Sequence, residues 1–457
     1  MGPERGRYTR FVSGVLFPAH ERLKGHATAT LRQALEASQW WTRSQIEALQ
    51  LERLKAFLCA AQTDVPYYAE LFAGLGFQPG RMHSITELGQ LPTLTKATVR
   101  ANFSRLASRR AKGLKAFNTG GSSGEPLIFG LGRDRVAHDV AAKWRATRWW
   151  GVDVGDPEIV LWGSPIELNA QDRLRGLRDR LFRTRLLPAF EMSEPRLDEF
   201  LHAIRGRRPR MLFGYPSALA LVARHARSRG EPMDDLGITV AFATAERLYD
   251  EQRNGIEEVF GCRVANGYGG RDAGFVAHEC PKGGMHITAE DIVVEIVDAQ
   301  GHPVPAGQSG EIVVTHMGSG DFPFIRYRTG DVGALAHQGC ACGRGLPLLE
   351  KIEGRTTDFI VAADGTVMHG LALIYTVRAL PGVKAFKIVQ ENVEHVRVLL
   401  VAERDFAWGP GREAIVRDFR RRLGPATRVE VEPVDALPAE RSGKHRYVVS
   451  HVAARKW

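Results

Sequence analysis

Short apolar runs alternate with amphipathic segments between residues 158 and 261, and this alternation constrains the fold more than any other feature. The runs "EIVLWG", "PRMLFGYPS" and "ITVAFATAE" each predict a buried strand that ends in a turn. The segments "PRLDEFLHAI", "ALALVARHARSRG" and "EQRNGIEEVFG" predict helices, and Gly230 and Gly261 end the last two. We therefore expect an α/β fold with a mostly parallel sheet. Ligands bind such sheets at the carboxyl ends of the strands, so the loops there are the candidate site.

The segments on either side of this α/β region have different patterns. "TRSQIEALQLERLKAFLCAAQ" has helical periodicity with Thr42 as the expected N-cap, and "DVPYY" is expected to stop that helix. Thr95 is the expected cap of a further helix. Residues 285–335 contain strand patterns joined by glycine turns, which predicts a β-rich subdomain. After "IEGR", the segment "DFIVAADGTVM" predicts a hairpin that turns at Asp364-Gly365, and a compact α+β unit follows.

Length and composition exclude several classes of protein. The 457 residues exceed the usual size of a single domain. No run approaches the ~18 apolar residues that a membrane helix needs. The stretch "FVSGVLFPA" follows Arg7 and Arg10, as in a secretory signal, but Ser13, Gly14 and Pro18 interrupt it. We therefore expect a cytoplasmic protein.

Charge and cysteine content restrict the partners. Five cysteines are too few for a disulfide framework. The net charge is +10, yet no long basic block interleaved with aromatic residues appears, so nucleic acid is not the expected partner. A small polyanion such as a nucleotide fits the charge equally well.

The stretch "NTGGSSGEPLIF" (118–129) contains three glycines and two serines in a short loop. Backbone N–H groups and hydroxyls in such a loop can surround an anion. A flexible linker has the same composition. The loop is not a Walker A motif because no Gly-Lys-Ser/Thr closes it, and it lacks the dinucleotide-binding glycine spacing. Both interpretations stay open from these residues alone.

Three further motifs contain groups suited to nucleotide chemistry: "NGYGGRDAG" (266–274), "RYRTGD" (326–331) and "LPAERSGKHR" (437–446). Together with "VPYY", "LPTLTK", "FGYPS", "TAE", "GEIVVT", "CACGR" and "IEGR", in this order, they resemble the adenylate-forming enzymes. The resemblance is to the phenylacetate–coenzyme A ligase-like branch, including its capsule-biosynthesis relatives, and runs over nearly the whole chain. It implies an N-terminal ATP- and acyl-binding domain, 1–353, and a small mobile C-terminal domain, 354–457, with a catalytic lysine.

The resemblance also implies a role for individual residues. The ATP-binding residues would be Thr119, Gly120, Gly121, Ser122, Ser123 and Gly124 at the phosphates, Ala245, Glu246, Tyr268 and Gly269 at the adenine, Asp331 at the ribose, and Arg355 near the hinge. The catalytic residues would be Lys444 at the α-phosphate, Asp272 as magnesium ligand, and Arg271, which replaces a serine or threonine of the family. The acyl pocket would contain Trp162, Tyr215, Pro216 and Gly270.

The implied reaction is attack of a carboxylate on the α-phosphorus of ATP, which gives an acyl-adenylate and pyrophosphate. Charge neutralisation and positioning lower such a barrier. Coenzyme A is the expected acceptor of the acyl group. The chain departs from the family at Thr356 and Thr357, where acidic residues are frequent, and "AADGTVMHG" lacks a basic-glycine strand. The resemblance therefore supports adenylation more directly than thioester formation.

Several alternatives stay open at this point. The acceptor could be an amine or a hydroxyl, or the enzyme could transfer AMP itself. A non-catalytic nucleotide-binding relative is a different class of function. The sequence identifies neither the carboxylic acid nor the oligomeric state, and a homodimer is one arrangement.

Cysteine and histidine residues on both sides of the β-rich segment predict a second site. Some relatives of this family carry a zinc-like cluster at such positions, represented here by Cys280, His286, Cys340 and Cys342. Three thiolates and one imidazole form a closed tetrahedral set, which is typical of structural zinc. His278 is a rival for His286, and ordinary reduced thiols are the alternative to a metal site.

Overall fold

The computed structural model describes residues 6–119, 127–162, 172–189, 191–352, 359–437 and 447–452. A π-helical turn, Val12–Leu16, joins the first two helices. The helices are α1 (Arg7–Phe11), α2 (Phe17–Leu23), α3 (Thr28–Ser38), α4 (Arg43–Asp64), α5 (Pro66–Leu75), α6 (Lys96–Ala101), α7 (Phe103–Leu106), α8 (Arg133–Trp149), α9 (Asp172–Leu181), α10 (Glu194–Arg207), α11 (Pro216–Ser228), α12 (Asp250–Phe260), α13 (Leu371–Arg378) and α14 (Trp408–Leu423). Among the described residues, no helix combines the length and the apolar character that crossing a membrane requires.

Within the described ranges, the strands form one large sheet and three small ones. The strands are β1 (Lys115–Asn118), β2 (Ile128–Leu131), β3 (Glu158–Trp162), β4 (Thr184–Pro188), β5 (Glu191–Met192), β6 (Met211–Gly214), β7 (Val240–Thr244), β8 (Arg263–Gly270), β9 (Gly274–Glu279), β10 (Met285–Ile287), β11 (Ile292–Val297), β12 (Gly310–His316), β13 (Tyr327–Leu335), β14 (Leu348–Ile352), β15 (Phe359–Val361), β16 (Val367–His369), β17 (Val383–Asn392), β18 (His395–Ala402), β19 (Arg428–Pro433) and β20 (Val448–Ser450).

The large sheet has eleven strands in the order β11-β12-β13-β14-β10-β9-β8-β7-β6-β3-β4. Neighbouring strands from β4 to β8 run parallel. From β8 to β11 every pairing is antiparallel. The predicted α/β fold is confirmed, and the β-rich segment forms the antiparallel half of this same sheet. The chain reverses between the two halves at the turn from β8 to β9.

Capping residues and glycines in the sequence predicted where several helices begin and end. The Thr42 hydroxyl accepts a hydrogen bond from the Gln45 backbone N–H, and the Gln45 side chain accepts one from the Thr42 backbone N–H. Gly230 and Gly261 have φ values of +65° and +59°, which glycine adopts without strain. The stop predicted at "DVPYY" is only half right: α4 ends at Asp64, but Pro66 opens α5. Proline suits a first helical turn because its missing N–H would have no helical partner there.

The C-terminal residues form a separate four-stranded sheet in the order β19-β18-β17-β20, with α13 and α14 packed against it. The predicted hairpin is present as β15 and β16, and Gly365 has φ of +84° in its turn. The two-residue strand β5 pairs with β16, so the hairpin also contacts the N-terminal part of the chain.

Candidate active site

The ends of the parallel strands bring the predicted residues to one edge of the large sheet. Trp162 ends β3, and Tyr215 follows β6 directly. Ala245 follows β7, and Gly270 ends β8. These strands are neighbours and run parallel, so all their carboxyl ends face the same side.

Close backbone packing determines the turn from β8 to β9. A Cβ atom on Gly269 would lie 2.1 Å from the carbonyl oxygen of Gly274, so no side chain fits at position 269. Gly274 has φ of +89°, a conformation that glycine adopts without strain. Gly269, which the resemblance predicts beside the adenine, therefore also has a structural requirement, which is to let the two strands approach. The turn itself presents Arg271 and Asp272.

Two carboxylates of the predicted nucleotide site each accept a hydrogen bond from a tyrosine. Tyr327 Oη donates to Asp272 Oδ2 at 2.7 Å, and Tyr268 Oη donates to Asp331 Oδ2 at 3.1 Å. Because Tyr327 and Asp331 both belong to β13, this strand brings its side chains to the β8–β9 turn from the antiparallel half of the sheet. Asp272 and Asp331 therefore each bond to a tyrosine where β13 passes the end of β8.

The loop after β7 has an unusual conformation. Ala245 has φ of +71°, which costs free energy for a residue with a Cβ and is frequent at functional sites. Glu246 Oε2 accepts hydrogen bonds from the Ser217 hydroxyl at 2.5 Å and from the Ser217 backbone N–H at 3.4 Å. Ser217 lies in the first turn of α11, where the helix dipole favours a carboxylate. Glu246 therefore connects the loop after β7 to the start of α11.

The predicted acyl-pocket residues form an aromatic pair at the same edge. The rings of Trp162 and Tyr215 stack with centroids 4.4 Å apart and an interplanar angle of 21°. Phe213 lies behind Trp162 at 6.2 Å. Pro216 opens α11, and Gly270 lies beside Asp272. Tyr215 is buried and Trp162 partly buried, so the pair can act as a wall of a pocket or as part of the core.

The glycine-rich loop is described only at its two ends. Thr119 pairs with Leu127: its N–H donates to the Leu127 carbonyl at 3.0 Å, and its hydroxyl accepts from the Leu127 N–H at 2.9 Å. The predicted phosphate-binding residues Gly120, Gly121, Ser122, Ser123 and Gly124 lie outside the described residues, as do Arg355 and Lys444. Arg271 lies beside the base of this loop: its Nη1 donates to the Asn118 carbonyl at 3.5 Å, and its guanidinium lies 5.5 Å from the Phe117 ring centroid.

A buried ionic network behind the turn was not found from the sequence. Arg135 on α8 donates through Nη2 to the carbonyl oxygens of Arg271 and Asp272, each at 3.4 Å. Asp139, one helical turn later, accepts from Arg135 Nε at 3.1 Å and from the Phe275 backbone N–H at 3.3 Å. Helix α8 thus holds both ends of the β8–β9 turn. The sequence signal that could have revealed this network is the spacing of Arg135 and Asp139, which are four residues apart on one face of α8.

The network continues deeper through two histidines. His138 is 2% exposed, and its Nε2 lies 3.3 Å from Asp291 Oδ2 while its Nδ1 lies 3.8 Å from Asp139 Oδ1. Burial opposes the charged form of His138, but the two carboxylates outweigh it and raise its pKa to about 9. Burial and the nearby Arg135 guanidinium lower the pKa of His316 to about 3. The network therefore contains one imidazolium and one neutral imidazole.

His138, Asp139 and His316 could also be ligands of a metal ion, because their ligand atoms all lie within 4.8 Å of one another. The hydrogen bonds argue against this. His316 Nδ1 accepts from the Gly318 backbone N–H at 3.2 Å, which places the proton of the neutral ring on Nε2. That N–H faces Asp139 Oδ1 at 3.6 Å and leaves no lone pair for a metal. We therefore interpret the cluster as an ionic network.

The four predicted metal ligands do lie together. The ligand atoms of Cys280, His286, Cys340 and Cys342 all lie within 4.8 Å of one another. Cys280 Sγ is 3.6 Å from Cys340 Sγ, and Cys342 Sγ is 3.2 Å from His286 Nε2. Tetrahedral zinc with its usual bond lengths separates two sulfur ligands by about 3.8 Å, so these separations fit such an ion. His278 instead stacks on Phe275, with ring centroids 5.2 Å apart, so His286 is the ligand candidate.

The backbone around these four residues also fits an ion. The Lys282 N–H donates to Cys280 Sγ at 3.4 Å, and Gly283 has φ of +84° in the same tight turn. A Cβ on Gly284 would lie 2.7 Å from Cys340 Sγ, so the ligands occupy the space that a side chain would need. Burial raises the pKa of the Cys280 thiol to about 12, which means that its thiolate needs a nearby cation.

Two family models match the chain. One is described as "AMP-binding enzyme" and covers residues 186–319, and the other as "CapK C-terminal domain" and covers residues 360–451. The phenylacetate-coenzyme A ligase of Thermus thermophilus is 26% identical over 438 residues, which are 89% of this chain and 97% of the relative. Protein CapK of Staphylococcus aureus is 22% identical over 414 residues, 88% of this chain and 89% of the relative.

Solved structures with the same fold are also known. 2-Hydroxyisobutyryl-CoA ligase in complex with 2-HIB-AMP and CoA in the thioesterification state is 20% identical, with a TM-score of 0.65. The match covers 90% of this chain and 91% of that one. The same ligase in the postadenylation state gives a TM-score of 0.59. At this identity the similarity concerns the fold.

The first prediction concerns His138. Its pKa is raised from 6.5 to about 9, so its stabilising contribution is complete below about pH 6.5 and is lost as pH rises through about 9. The free energy of unfolding, measured by denaturant titration from about pH 6.5 to about pH 9.5, should therefore fall across this window. His138→Gln should remove most of this decrease. His302→Gln is the control, because His302 is exposed. An equal decrease in His138→Gln would contradict the assignment.

Proposed function

Since this chain belongs to the adenylate-forming enzymes, in their phenylacetate–coenzyme A ligase-like branch, we propose that it activates a carboxylic acid with ATP and transfers the acyl group to coenzyme A. The proposal rests on one observation above all. The carboxylates of Asp272 and Asp331 each accept a hydrogen bond from a tyrosine near the carboxyl end of β8, and Tyr268 is one of these tyrosines.

The residues at this edge have separate parts in the proposed adenylation. Asp331 accepts hydrogen bonds from the ribose hydroxyls, and Tyr268, which donates to Asp331, lies along the adenine. The N–H groups and hydroxyls of 119–124 bind the phosphates. Lys444 from the C-terminal domain, 354–457, neutralises charge at the α-phosphate, where it develops during attack. Arg271 adds a second cation beside the base of the phosphate loop.

Magnesium is the expected metal of this site. Asp272 offers a half-buried carboxylate at the edge where the phosphates would lie, and Mg²⁺ usually takes one or two protein carboxylates together with substrate phosphates. When bound, Mg²⁺ supplies positive charge to the phosphate oxygens. Tyr327, by donating to Asp272 Oδ2, fixes the orientation of the carboxylate, and Oδ1 accepts from the Ala273 backbone N–H at 3.2 Å.

Coenzyme A is the proposed acceptor because the two ligases reported above carry it in their names. The acyl group would lie against the stacked pair of Trp162 and Tyr215, which favours acids with an apolar or aromatic group. The test is a panel of aliphatic and aromatic acids, scored by pyrophosphate release with and without coenzyme A. Acid-dependent pyrophosphate release that never yields a thioester would assign the acceptor to another class.

The second prediction concerns Lys444. Lys444→Ala should lower the rate of acyl-adenylate formation by roughly 10²-fold or more, because it removes a cation that acts mainly on the transition state. The affinity for ATP, measured by calorimetry, should change little. Lys384→Ala is the control, because Lys384 is an exposed lysine of the same C-terminal region. A Lys444→Ala enzyme that adenylates at the unaltered rate would exclude Lys444 from the reaction.

The third prediction concerns Asp272. Asp272→Asn should shift the magnesium titration of pyrophosphate release to higher concentration, by roughly tenfold, because a neutral oxygen is a poorer ligand for a hard cation. The amide oxygen of the substituted side chain could still accept the hydrogen bond from Tyr327, so the turn should keep its shape. The exposed carboxylate Asp405 provides the control Asp405→Asn. Superimposable titrations for wild type and Asp272→Asn would remove Asp272 from the metal site.

We also propose that Cys280, His286, Cys340 and Cys342 hold a structural zinc ion. Four protein ligands close a tetrahedral site and leave no position for water, so no catalytic part is assigned to it. The ion would join the turn after β9 and strand β10, which contain Cys280 and His286, to the segment before β14. These two segments are distant in sequence, and each contributes two ligands.

The fourth prediction follows from this ligand set. Protein purified without added metal or a histidine tag should contain about one zinc per chain by elemental analysis. Cys340→Ser should lower the zinc content and the melting temperature before it alters the chemistry of the protein that folds. Cys262→Ser is the control, because Cys262 is buried and lies outside the cluster. Zinc far below one equivalent in a normally stable wild-type protein would reject the site.

A further inference from the structure

The N-terminal apolar stretch, which the proposed catalysis does not use, forms a continuous helix with an unusual solvent face. Residues 7–23 run through α1, the π-helical turn and α2. One side is buried and includes Thr9, Val12 and Phe17. The opposite side exposes Tyr8, Phe11 and Val15 by 36%, 53% and 56%. An exposed face that is this apolar is a sign of an interaction surface.

Helix α9 extends the same surface. Tyr8 Oη donates to the Leu181 carbonyl at 2.8 Å, and the rings of Phe17 and Phe182 lie 5.9 Å apart. Leu177 and Leu181, one turn apart on α9, are 57% and 41% exposed. Six of the eleven large apolar side chains that are exposed among the described residues belong to these two helices, so the patch is a concentration and not ordinary scatter: Tyr8, Phe11, Val15, Leu23, Leu177 and Leu181.

The charges around this patch are mostly positive. We call the six apolar side chains, together with the exposed basic residues beside them, the basic-apolar face. These basic residues are Arg7, Arg10, Arg22, Lys24, Arg180 and Arg185. The only acid in residues 7–24 is Glu21, which is 3% exposed and accepts hydrogen bonds from the Thr28 hydroxyl at 2.6 Å and from Lys24 Nζ at 3.2 Å. The only acid in 176–185 is Asp179, which pairs with Arg178.

We propose that the basic-apolar face docks the protein on the surface of an anionic membrane. A helix that lies in the membrane interface has aromatic and aliphatic residues that enter the headgroup region and Lys or Arg residues that meet anionic lipids. The Arg183 guanidinium lies 4.1 Å from the Tyr8 ring centroid and so adds a cation directly beside an aromatic ring of this face. The docking is peripheral and independent of the proposed catalysis.

The charge distribution disfavours the other occupants. A second copy of the chain in a symmetric dimer would bring the same arginines face to face. Of the acids in residues 7–24 and 176–185, Glu21 is buried and Asp179 already pairs with Arg178, so this contact costs free energy. Nucleic acid would meet the basic residues but would leave the large aliphatic side chains without a partner. The surface is the outer side of a helix and not a groove, so a lipid headgroup layer fits it better than a peptide does.

The test is flotation of the full chain with vesicles of phosphatidylcholine alone or mixed with phosphatidylglycerol. The protein should float with the mixed vesicles, bind the neutral ones far more weakly, and dissociate as salt is raised. The double variant Phe11→Glu with Val15→Glu should lose roughly tenfold or more of the bound fraction. Arg7→Ala with Arg10→Ala should weaken binding mainly to anionic vesicles.

The matched control is Leu75→Glu, because Leu75 is a leucine on α5 with 51% exposure. It should bind vesicles like wild type. Melting temperature and pyrophosphate release should be unchanged in all these variants, which separates this proposal from the proposed function. Equal binding to both vesicle types, an equal loss in Leu75→Glu, or no binding would overturn the proposal. A dimer would also overturn it, if light scattering detects the dimer in the wild type and not in the Phe11→Glu, Val15→Glu variant.

Discussion

The tight reversal between β8 and β9 determines where Tyr268, Arg271 and Asp272 lie. At this point the parallel half of the sheet meets the antiparallel half, and a Cβ on Gly269 would lie only 2.1 Å from the Gly274 carbonyl. This contact lets β8 continue past the edge at which β7 ends, so Tyr268 and Asp272 come from one short stretch. Tyr327 reaches the same place from β13, which arrives by way of the antiparallel pairings.

Buried charges on α8 support this reversal from behind. Arg145 is fully buried and pairs with Glu290 at 2.6 Å, while Arg135 and His138 pair with Asp139 and Asp291. Such pairs add little net stability, because removing two charges from water costs about as much as their attraction returns. Breaking one pair, however, leaves a buried charge without its partner. The network therefore fixes the position of α8 against the sheet more than it raises the free energy of unfolding.

The sequence predicted the elements whose formation depends on residues close together in the chain. The parallel strands, the helices between them, the Thr42 cap and the hairpin at Gly365 follow from periodicity and turn chemistry, and the structure has them. The order of the strands depends on pairings between distant segments, such as β10 with β14, which no local pattern contains. The four metal-ligand candidates could be named from residue type and resemblance, but the choice of His286 over His278 needed the rings' positions.

The buried Arg145 and the exposed apolar side of the N-terminal helix were not predicted, and both depart from the usual amphipathic arrangement. Arg145 lies in a segment where arginine suggests a solvated face, yet it is fully buried because Glu290, distant in sequence, neutralises it. The N-terminal helix has the opposite character, since its exposed side is apolar. An amphipathic pattern predicts which side of a helix is buried only if the polar residues face water and the apolar residues face the core. Neither segment follows that arrangement. Departures of this kind mark buried networks and interaction surfaces.

Helix α8 also connects the two candidate metal-dependent parts of the molecule. Its first turn holds the carbonyl oxygens of Arg271 and Asp272 through Arg135. Its last residue, Trp149, packs on the His286 ring with centroids 5.5 Å apart. The 17 residues of the helix span about 25 Å. The Cys/His cluster is therefore remote from the chemistry but in contact with the element that supports it.

The contacts around Trp149 connect the Cys/His cluster to the end of α8. Trp149 Nε1 donates to Gln39 Oε1 at 2.6 Å, and the Arg344 side chain donates to the same oxygen at 3.1 Å. Arg344 follows the Cys-x-Cys pair by two residues and lies 4.5 Å from the Trp149 ring centroid. An ion that orders Cys340 and Cys342 would thus also order Arg344, Trp149 and the end of α8.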